Sequence, residues 1–206
     1  MSVNVTLLFS VARYIDVTEA YLRGLERRAA EGKPVTGISS VASFFVSRVD
    51  TMVDAILESQ GADASLMGRA AVANAKVAYK HFRSAFGSAR FGALNGASVQ
   101  RLLWASTGTK NPAYSPVKYV EEIIAPDTVN TLPEATLHAF KAGGSVRVAI
   151  DDGIDEAAGV FEVLRGRGID IDACTDKLEA DGVKSFIGSF ESLLKDITSK
   201  RDRLLS

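Results

Sequence analysis

A chain of 206 residues is long enough to bury a substantial core in one or two domains. Hydrophobic residues make up 47% and charged residues 24%, as in ordinary globular proteins, and a net charge of −1 argues against nucleic acid as a partner. The sole cysteine, Cys174, has no partner for an intramolecular disulfide, and no apolar stretch is typical of a signal peptide or a membrane span. The composition predicts a cytoplasmic globular protein that contacts neither nucleic acid nor membrane.

The first predicted strand starts almost at residue 1. Residues 4–10 are mainly β-branched and apolar, with polar Asn4 and Thr6 on alternate positions, which predicts a buried strand with one polar face. A helix is expected next, from a cap at Asp16 to about Ala30, where a Gly-Lys-Pro sequence ends it.

Strand and helix patterns continue to alternate along the chain. Further strands are predicted at 41–46, 101–105 and 128–130, and helices from about 49, over 65–86, over 116–124 and from Pro133, with Thr131 as the cap of the last. From about residue 155 the pattern is wholly helical, with helices over 154–164 and 183–205. The alternation predicts an α/β fold with a parallel sheet, followed by a helical cover rather than a second domain.

Polar clusters lie at the carboxyl ends of these strands, where parallel α/β sheets bind their ligands. Asn4 and Thr6 form the first, and taken alone they favour a buried polar pair that satisfies backbone groups over a functional site. The second runs from Ser43 to Arg48. An arginine beside hydroxyls suits a phosphate, although a salt bridge or a solvated side chain would explain it as well.

The third cluster is the polar loop at 106–112, which contains Ser106, Thr107, Thr109 and Lys110. Its backbone N–H groups and its lysine are suited to an oxyanion, and a simple polar turn remains the alternative. The fourth cluster, Asn130 and Thr131, precedes a predicted helix, and helix capping explains it without a functional role.

Other catalytic templates are absent from the sequence. His81 and His138 lie on predicted helices without metal-ligand spacing, so a solvated or helix-capping role is favoured and no metal is expected. The glycine patterns of P-loops, dinucleotide sites and serine hydrolases are missing. Asp50 is the carboxylate nearest to a strand end, where a charge at a helix start explains it as well as a role in a site does. The residues alone therefore predict a pocket for a phosphorylated metabolite.

Four segments in consistent order resemble transaldolases, especially the longer-chain bacterial and plant-type branch. They are Val-Asn-Val-Thr-Leu-Leu-Phe-Ser at 3–10, Ala-Ser-Phe-Phe-Val-Ser-Arg-Val-Asp at 42–50, Trp-Ala-Ser-Thr-Gly-Thr-Lys-Asn-Pro at 104–112 and Asp-Thr-Val-Asn-Thr-Leu-Pro-Glu at 127–134. The likeness extends to Gly-Ile-Asp-Ile at 168–171, and so covers essentially the whole chain.

The resemblance implies a (β/α)8 barrel enzyme that needs no cofactor. Such an enzyme holds a three-carbon dihydroxyacetone unit as a Schiff base on lysine and passes it from a ketose phosphate to an aldose phosphate. It implies that Asn4 and Thr6 contact this unit and position water, and that Ser43 bonds to it. Arg48 and Ser106, with the loop through Lys110, would bind the substrate phosphate; which of Thr107, Thr109 and Lys110 takes part stays open. The implied substrates are sedoheptulose 7-phosphate, fructose 6-phosphate, glyceraldehyde 3-phosphate and erythrose 4-phosphate.

The resemblance also implies that the Schiff-base lysine and the acid/base carboxylates of the family belong to strands that precede residue 1. We therefore expect one domain, 1–206, in which 1–141 form the second half of the barrel and 142–206 a C-terminal helical segment. Such a chain is expected to be inactive alone and to pair with the missing half, or with a copy of itself, through open sheet edges. A non-catalytic phosphosugar-binding or assembly fragment is the alternative.

Overall fold

The strands of the sheet pair in sequence order, and every pair is parallel. In a computed structural model, which describes residues 2–205, β1 (Ser2–Leu8) pairs with β2 (Ser39–Phe45), β2 with β3 (Gln100–Ala105), and β3 with β4 (Thr128–Asn130). The predicted parallel sheet of four strands is thus confirmed. Within residues 2–205, β1 and β4 each have a strand on one side only.

Helices connect the strands and follow the last one. They are α1 (Val11–Ala30), α2 (Ser47–Ser59), a 3-10 turn (Ala64–Leu66), α3 (Ala70–Phe86), α4 (Ala89–Gly92), α5 (Lys118–Glu121), α6 (Glu134–Gly143), α7 (Ala157–Gly166) and α8 (Ile171–Leu205). A parallel sheet whose strands alternate with helices is consistent with part of a (β/α)8 barrel. Within residues 2–205, no helix has the length and apolar character that a bilayer span requires.

The core lies between one face of the sheet and the helices. Ala42 and Phe44 of β2 and Leu102 and Trp104 of β3 are at most 1% exposed and belong to one cluster with apolar side chains of α1, α2 and α3. Because side chains alternate along a strand, Ser43 points to the opposite face, away from these helices. That opposite face carries the candidate functional side chains of β1 and β2.

Two predicted helix caps are wrong. Ser10, not Asp16, caps α1: its Oγ accepts a hydrogen bond from the backbone N–H of Arg13 at 3.1 Å. The chain therefore turns from β1 into α1 with almost no loop. Thr131 does not cap α6, because its hydroxyl donates to the carbonyl oxygen of Trp104 at 3.4 Å. Pro133 occupies the N-cap position instead.

Three predicted helices have different bounds. The helix expected over 65–86 is divided into the 3-10 turn and α3, because Gly68 between them has a φ of +69° that does not continue a right-handed helix. The helix expected over 116–124 has only the four residues of α5. The helix expected over 183–205 is the second part of α8, which begins at Ile171 and has 35 residues.

Candidate functional site

The polar residues of β1 and β2 meet on the face of the sheet that is not covered by the core helices. Ser43 is buried, and its hydroxyl donates to Oδ1 of Asn4 at 2.7 Å. Asn4 itself and Thr6 are exposed, so the prediction that this strand is buried is wrong for the polar positions of β1. The structure therefore brings Asn4 and Ser43 together, with Thr6 two residues further along the same strand face.

The carboxyl ends of β2 and β3 are joined directly. The backbone N–H of Ser47 donates to the carbonyl oxygen of Ser106 at 3.0 Å, and their two hydroxyl oxygens are 3.0 Å apart. Ser106 has a φ of 55°, a left-handed conformation that is uncommon outside glycine and turns the chain sharply after β3. The third predicted cluster therefore begins in contact with the second.

Arg48 lies in the first turn of α2, next to this junction. Its side chain is exposed, and the guanidinium carbon is 5.6 Å from the centroid of the Phe45 ring. The guanidinium forms a cation–π contact with this ring, and because the side chain is exposed its N–H donors are accessible to a ligand. Arg48 thus presents a positive charge beside the end of β2.

Both threonines of the 106–112 loop donate hydrogen bonds to other residues of the chain. Thr107 is fully buried, and its hydroxyl donates to Oδ1 of Asn130 at 2.8 Å. The hydroxyl of Thr109 donates to the carbonyl oxygen of Ser115 at 2.9 Å. The side chain of Lys110 is exposed. Asn130 therefore anchors the loop through Thr107, whereas the sequence suggested that it caps a helix.

Two buried carboxylates of α2, one helical turn apart, form a second polar layer behind the site. Asp50 accepts hydrogen bonds from the backbone N–H of Ala71 and from the hydroxyl of Tyr119, both at 2.7 Å. Asp54 accepts from the backbone N–H of Gly68 at 2.9 Å and from the hydroxyl of Tyr114 at 2.7 Å. Asp50 thus lies in the first turn of α2, as the sequence suggested, but it is buried and hydrogen-bonded there.

Burial dominates the electrostatics of these groups. Desolvation raises the pKa of Asp50 to about 6, although its bonds from Ala71 and Tyr119 act in the opposite direction. Burial and the nearby carboxylates raise the pKa values of Tyr114 and Tyr119, so both phenols remain donors at neutral pH. The i, i+4 spacing of the two aspartates was the signal in the sequence, since it places both on one helix face.

The histidines take no part in this arrangement. Nε2 of His81 is buried without a hydrogen-bond partner, and its ring meets the ring of Tyr14 edge-on at 5.6 Å, so the solvated or capping role expected for it is wrong. His138 lies on an exposed face of α6, 3.6 Å from Glu134. Among the residues that the structure describes, no group of three His, Cys, Asp or Glu side chains is placed to hold a metal ion.

The sequence matches known proteins over nearly all of its length. The profile of the family described as Transaldolase/Fructose-6-phosphate aldolase matches residues 1–197. The chain belongs to this family. It is 49% identical over 206 residues to a transaldolase of Saccharopolyspora erythraea. The aligned residues cover 98% of this chain and 56% of that protein. The resemblance predicted from the strand-end motifs is therefore confirmed.

Other transaldolases show the same partial coverage. Transaldolase 2 of Nostoc sp. is 46% identical over 215 residues, with 97% of this chain and 56% of that protein covered. A transaldolase of Mycolicibacterium smegmatis is 49% identical over 199 residues, with 94% and 54% covered. The chain thus spans about half the length of the curated transaldolases it matches.

Proposed function

We propose that this chain supplies the phosphate and three-carbon subsites of a transaldolase of the cytoplasmic pentose phosphate pathway. The reaction moves a dihydroxyacetone unit from a ketose phosphate to an aldose phosphate, without a cofactor. The observation that carries the proposal is the junction of Ser47 and Ser106, because Arg48 directly follows Ser47 and the 106–112 loop begins at Ser106. A guanidinium and a hydroxyl-rich loop at the carboxyl ends of neighbouring parallel strands suit a phosphate group.

The free donors of the loop indicate which of its residues bind phosphate. Thr107 and Thr109 use their hydroxyl protons in bonds to Asn130 and Ser115. The ammonium group of Lys110 is exposed, and the hydrogen bond between the hydroxyls of Ser106 and Ser47 leaves the Ser106 proton free when Ser47 is the donor. We therefore assign the phosphate to Arg48, Ser106 and Lys110, with the two threonines shaping the loop.

The pair of Asn4 and Ser43 supports a subsite for the three-carbon unit. An amide and a hydroxyl offer both donors and acceptors to the hydroxyl groups of a dihydroxyacetone fragment. Thr6 lies on the same strand face and adds a hydroxyl that can orient water. The substrates proposed are sedoheptulose 7-phosphate and fructose 6-phosphate as donors, and erythrose 4-phosphate and glyceraldehyde 3-phosphate as acceptors.

The environments of the lysines indicate that the Schiff-base lysine belongs to another part of the enzyme. A Schiff-base lysine must lose its proton near neutral pH, which requires a desolvated or positively charged site. All ten lysines lie within residues 2–205, and none is buried. The two that are half-buried, Lys76 and Lys118, bond to the carbonyl oxygen of Asp152 and to the carboxylate of Glu122.

Titration with fructose 6-phosphate tests the phosphate site. Arg48→Ala should weaken binding about tenfold or more, because a charge-assisted hydrogen bond to phosphate is lost. The matched control is Arg101→Ala, which removes another exposed arginine at the opposite end of the sheet. Equal affinities of wild type and Arg48→Ala, or an equal loss in the control, would contradict the assigned site.

A non-catalytic phosphosugar-binding or assembly fragment is the second candidate, and the solvated lysines favour it. Borohydride reduction in the presence of fructose 6-phosphate tests what both candidates share, that this chain has no Schiff-base lysine of its own. We expect no covalent adduct on this chain alone. An adduct on one of its lysines would show that the chain carries its own Schiff-base residue, and would contradict both the fragment and the assignment of that lysine to another part of the enzyme.

Helix α8 supports the proposal that residues 1–141 form the second half of a barrel and that 142–206 reach beyond it. Gly182 packs on Leu7 and Phe9 at the carboxyl end of β1. Beyond this point α8 exposes an apolar stripe, whose members are 44–61% exposed: Val183, Phe186, Ile187, Phe190, Leu193, Leu194 and Ile197. We propose that the stripe and the edge of β1 bind the remaining half of a transaldolase, since the curated relatives have about twice the length matched here.

A further inference from the structure

The loop proposed to bind phosphate is fastened at both ends to the helix that carries Arg48. At its start, Ser106 bonds to Ser47, the first residue of α2. Beyond its end, the hydroxyl of Tyr114 donates to Asp54 of the same helix at 2.7 Å. Ser47 and Asp54 lie two helical turns apart, so α2 spans the loop with two fixed attachment points about 10 Å apart.

The attachment at Asp54 is itself rigid. The second carboxylate oxygen of Asp54 accepts from the backbone N–H of Gly68, and Asp54 is 6% exposed. The ring of Tyr114 packs so closely on Gly68 that an added Cβ would lie 2.9 Å from its Cζ atom. The ammonium of Lys118 lies 5.8 Å from the same ring. Tyr114 is therefore held on three sides, and its phenol has one acceptor in a fixed place.

Local hydrogen bonds connect the backbone of Tyr114 to the end of the 106–112 loop. The backbone N–H of Tyr114 donates to the carbonyl oxygen of Asn111 at 3.1 Å, and Oδ1 of Asn111 accepts from the backbone N–H of Ala113 at 2.9 Å. Asn111 directly follows Lys110. A displacement of Tyr114 must therefore move the backbone that presents Lys110.

We infer that Tyr114 and Asp54 are positioning residues, which fix the 106–112 loop relative to Arg48. The attachment of the loop to α2 rests on the hydrogen bonds alone. Its role in binding rests on the proposed phosphate site. One rigid helix then sets the geometry between the arginine and the loop, so the site is preorganised before the ligand arrives.

Backbone amide hydrogen exchange of the ligand-free chain tests the attachment. Tyr114→Phe keeps the ring and removes only the hydroxyl, so exchange of the amides at 107–111 and 113 should become about tenfold faster, while amides that exchange by local opening elsewhere in the chain keep their rates. The control is Tyr21→Phe, since the hydroxyl of Tyr21 donates to the carbonyl oxygen of Ser98 at 2.7 Å, far from the loop. Unchanged exchange at 107–111 and 113, or the same acceleration in Tyr21→Phe, would overturn the inference.

Titration with inorganic phosphate then separates this inference from the proposed function. The Kd should rise about threefold to tenfold in Tyr114→Phe and stay unchanged in Tyr21→Phe, because a looser loop must be ordered on binding. If exchange accelerates as expected and the wild-type chain does not bind phosphate, the phosphate site is wrong and the attachment of the loop to α2 stands. If the wild type binds phosphate and neither exchange nor Kd responds to Tyr114→Phe, the phosphate site stands and the positioning role is wrong.

Discussion

Asp50 couples the stability of the chain to pH. Its carboxylate is 1% exposed, and burial raises its pKa from 3.8 to about 6. Between these two values the folded chain holds a proton that the unfolded chain has lost, so the free energy of unfolding falls as pH rises through this window. The full effect is about 3 kcal/mol, and above pH 6 it is constant.

Asp50→Asn should abolish this dependence. An amide can accept from the N–H of Ala71 and donate to the oxygen of Tyr119, and it does not titrate. Urea unfolding between pH 3 and pH 7 should therefore show a difference between wild type and variant that changes with pH by about 3 kcal/mol. In Tyr119→Phe, which loses a bond that favours the charged carboxylate, the falling part of the curve should extend to higher pH. A difference between Asp50→Asn and wild type that is the same at every pH would contradict the raised pKa.

The contacts of the site depend on partners far apart in the sequence. Ser43 and Asn4 are 39 residues apart, and Asp50 and Tyr119 are 69 apart. The sequence identified Asn4, Ser43 and Arg48 as candidates because their chemistry and their place at strand ends are local properties. It could not show that Asp50 is buried, because burial depends on Tyr119 and on the start of α3.

Substitutions at two glycines of α8 distinguish the effect of packing on stability from the effect of helix propensity. A Cβ on Gly182 would lie 3.2 Å from Cδ2 of Leu7, whereas no atom lies within 4 Å of a Cβ on Gly188. Gly182→Val should therefore force α8 away from β1 and lower the free energy of unfolding by about 1–3 kcal/mol. Gly188→Val makes the same chemical change and should alter stability by about 0.5 kcal/mol or less. Equal urea unfolding curves for the two variants would show that α8 does not pack on β1 at Gly182.

Elements with a strong local pattern were predicted well. The bounds of the strands differ from the prediction by about two residues, because runs of β-branched residues and polar strand ends are local signals. The helix expected over 65–86 was wrong at Gly68, where Asp54 and Tyr114 stabilise a turn through tertiary contacts. Its alanine-rich sequence favours a continuous helix, and tertiary contacts override that preference.

The open edges of the sheet dominate the behaviour of the whole molecule. β1 and β4 each pair on one side only within the described residues 2–205. Both edge strands are largely exposed or half-buried, so their unpaired backbone groups are accessible to water and free to pair with another strand. The apolar stripe of α8 adds exposed surface beside β1. We therefore expect the isolated chain to be marginally stable or to self-associate.

Addition of the part proposed to complete the barrel should cover both the edge of β1 and the apolar stripe of α8. We expect that mixing the chain with the part of the Saccharopolyspora erythraea transaldolase outside the match yields a one-to-one complex with transaldolase activity, because that part is proposed to carry the Schiff-base lysine and the carboxylates.

The double variant Phe186→Gln, Phe190→Gln should weaken the complex, since both side chains belong to the stripe and are 55% and 61% exposed in the chain alone. Leu204→Gln, at the far end of α8, serves as the control. Size-exclusion chromatography and a coupled activity assay measure both effects. A stable monomer at micromolar concentration that gains neither a partner nor activity on mixing would refute the half-barrel, and a complex that the double variant leaves intact would place the contact elsewhere.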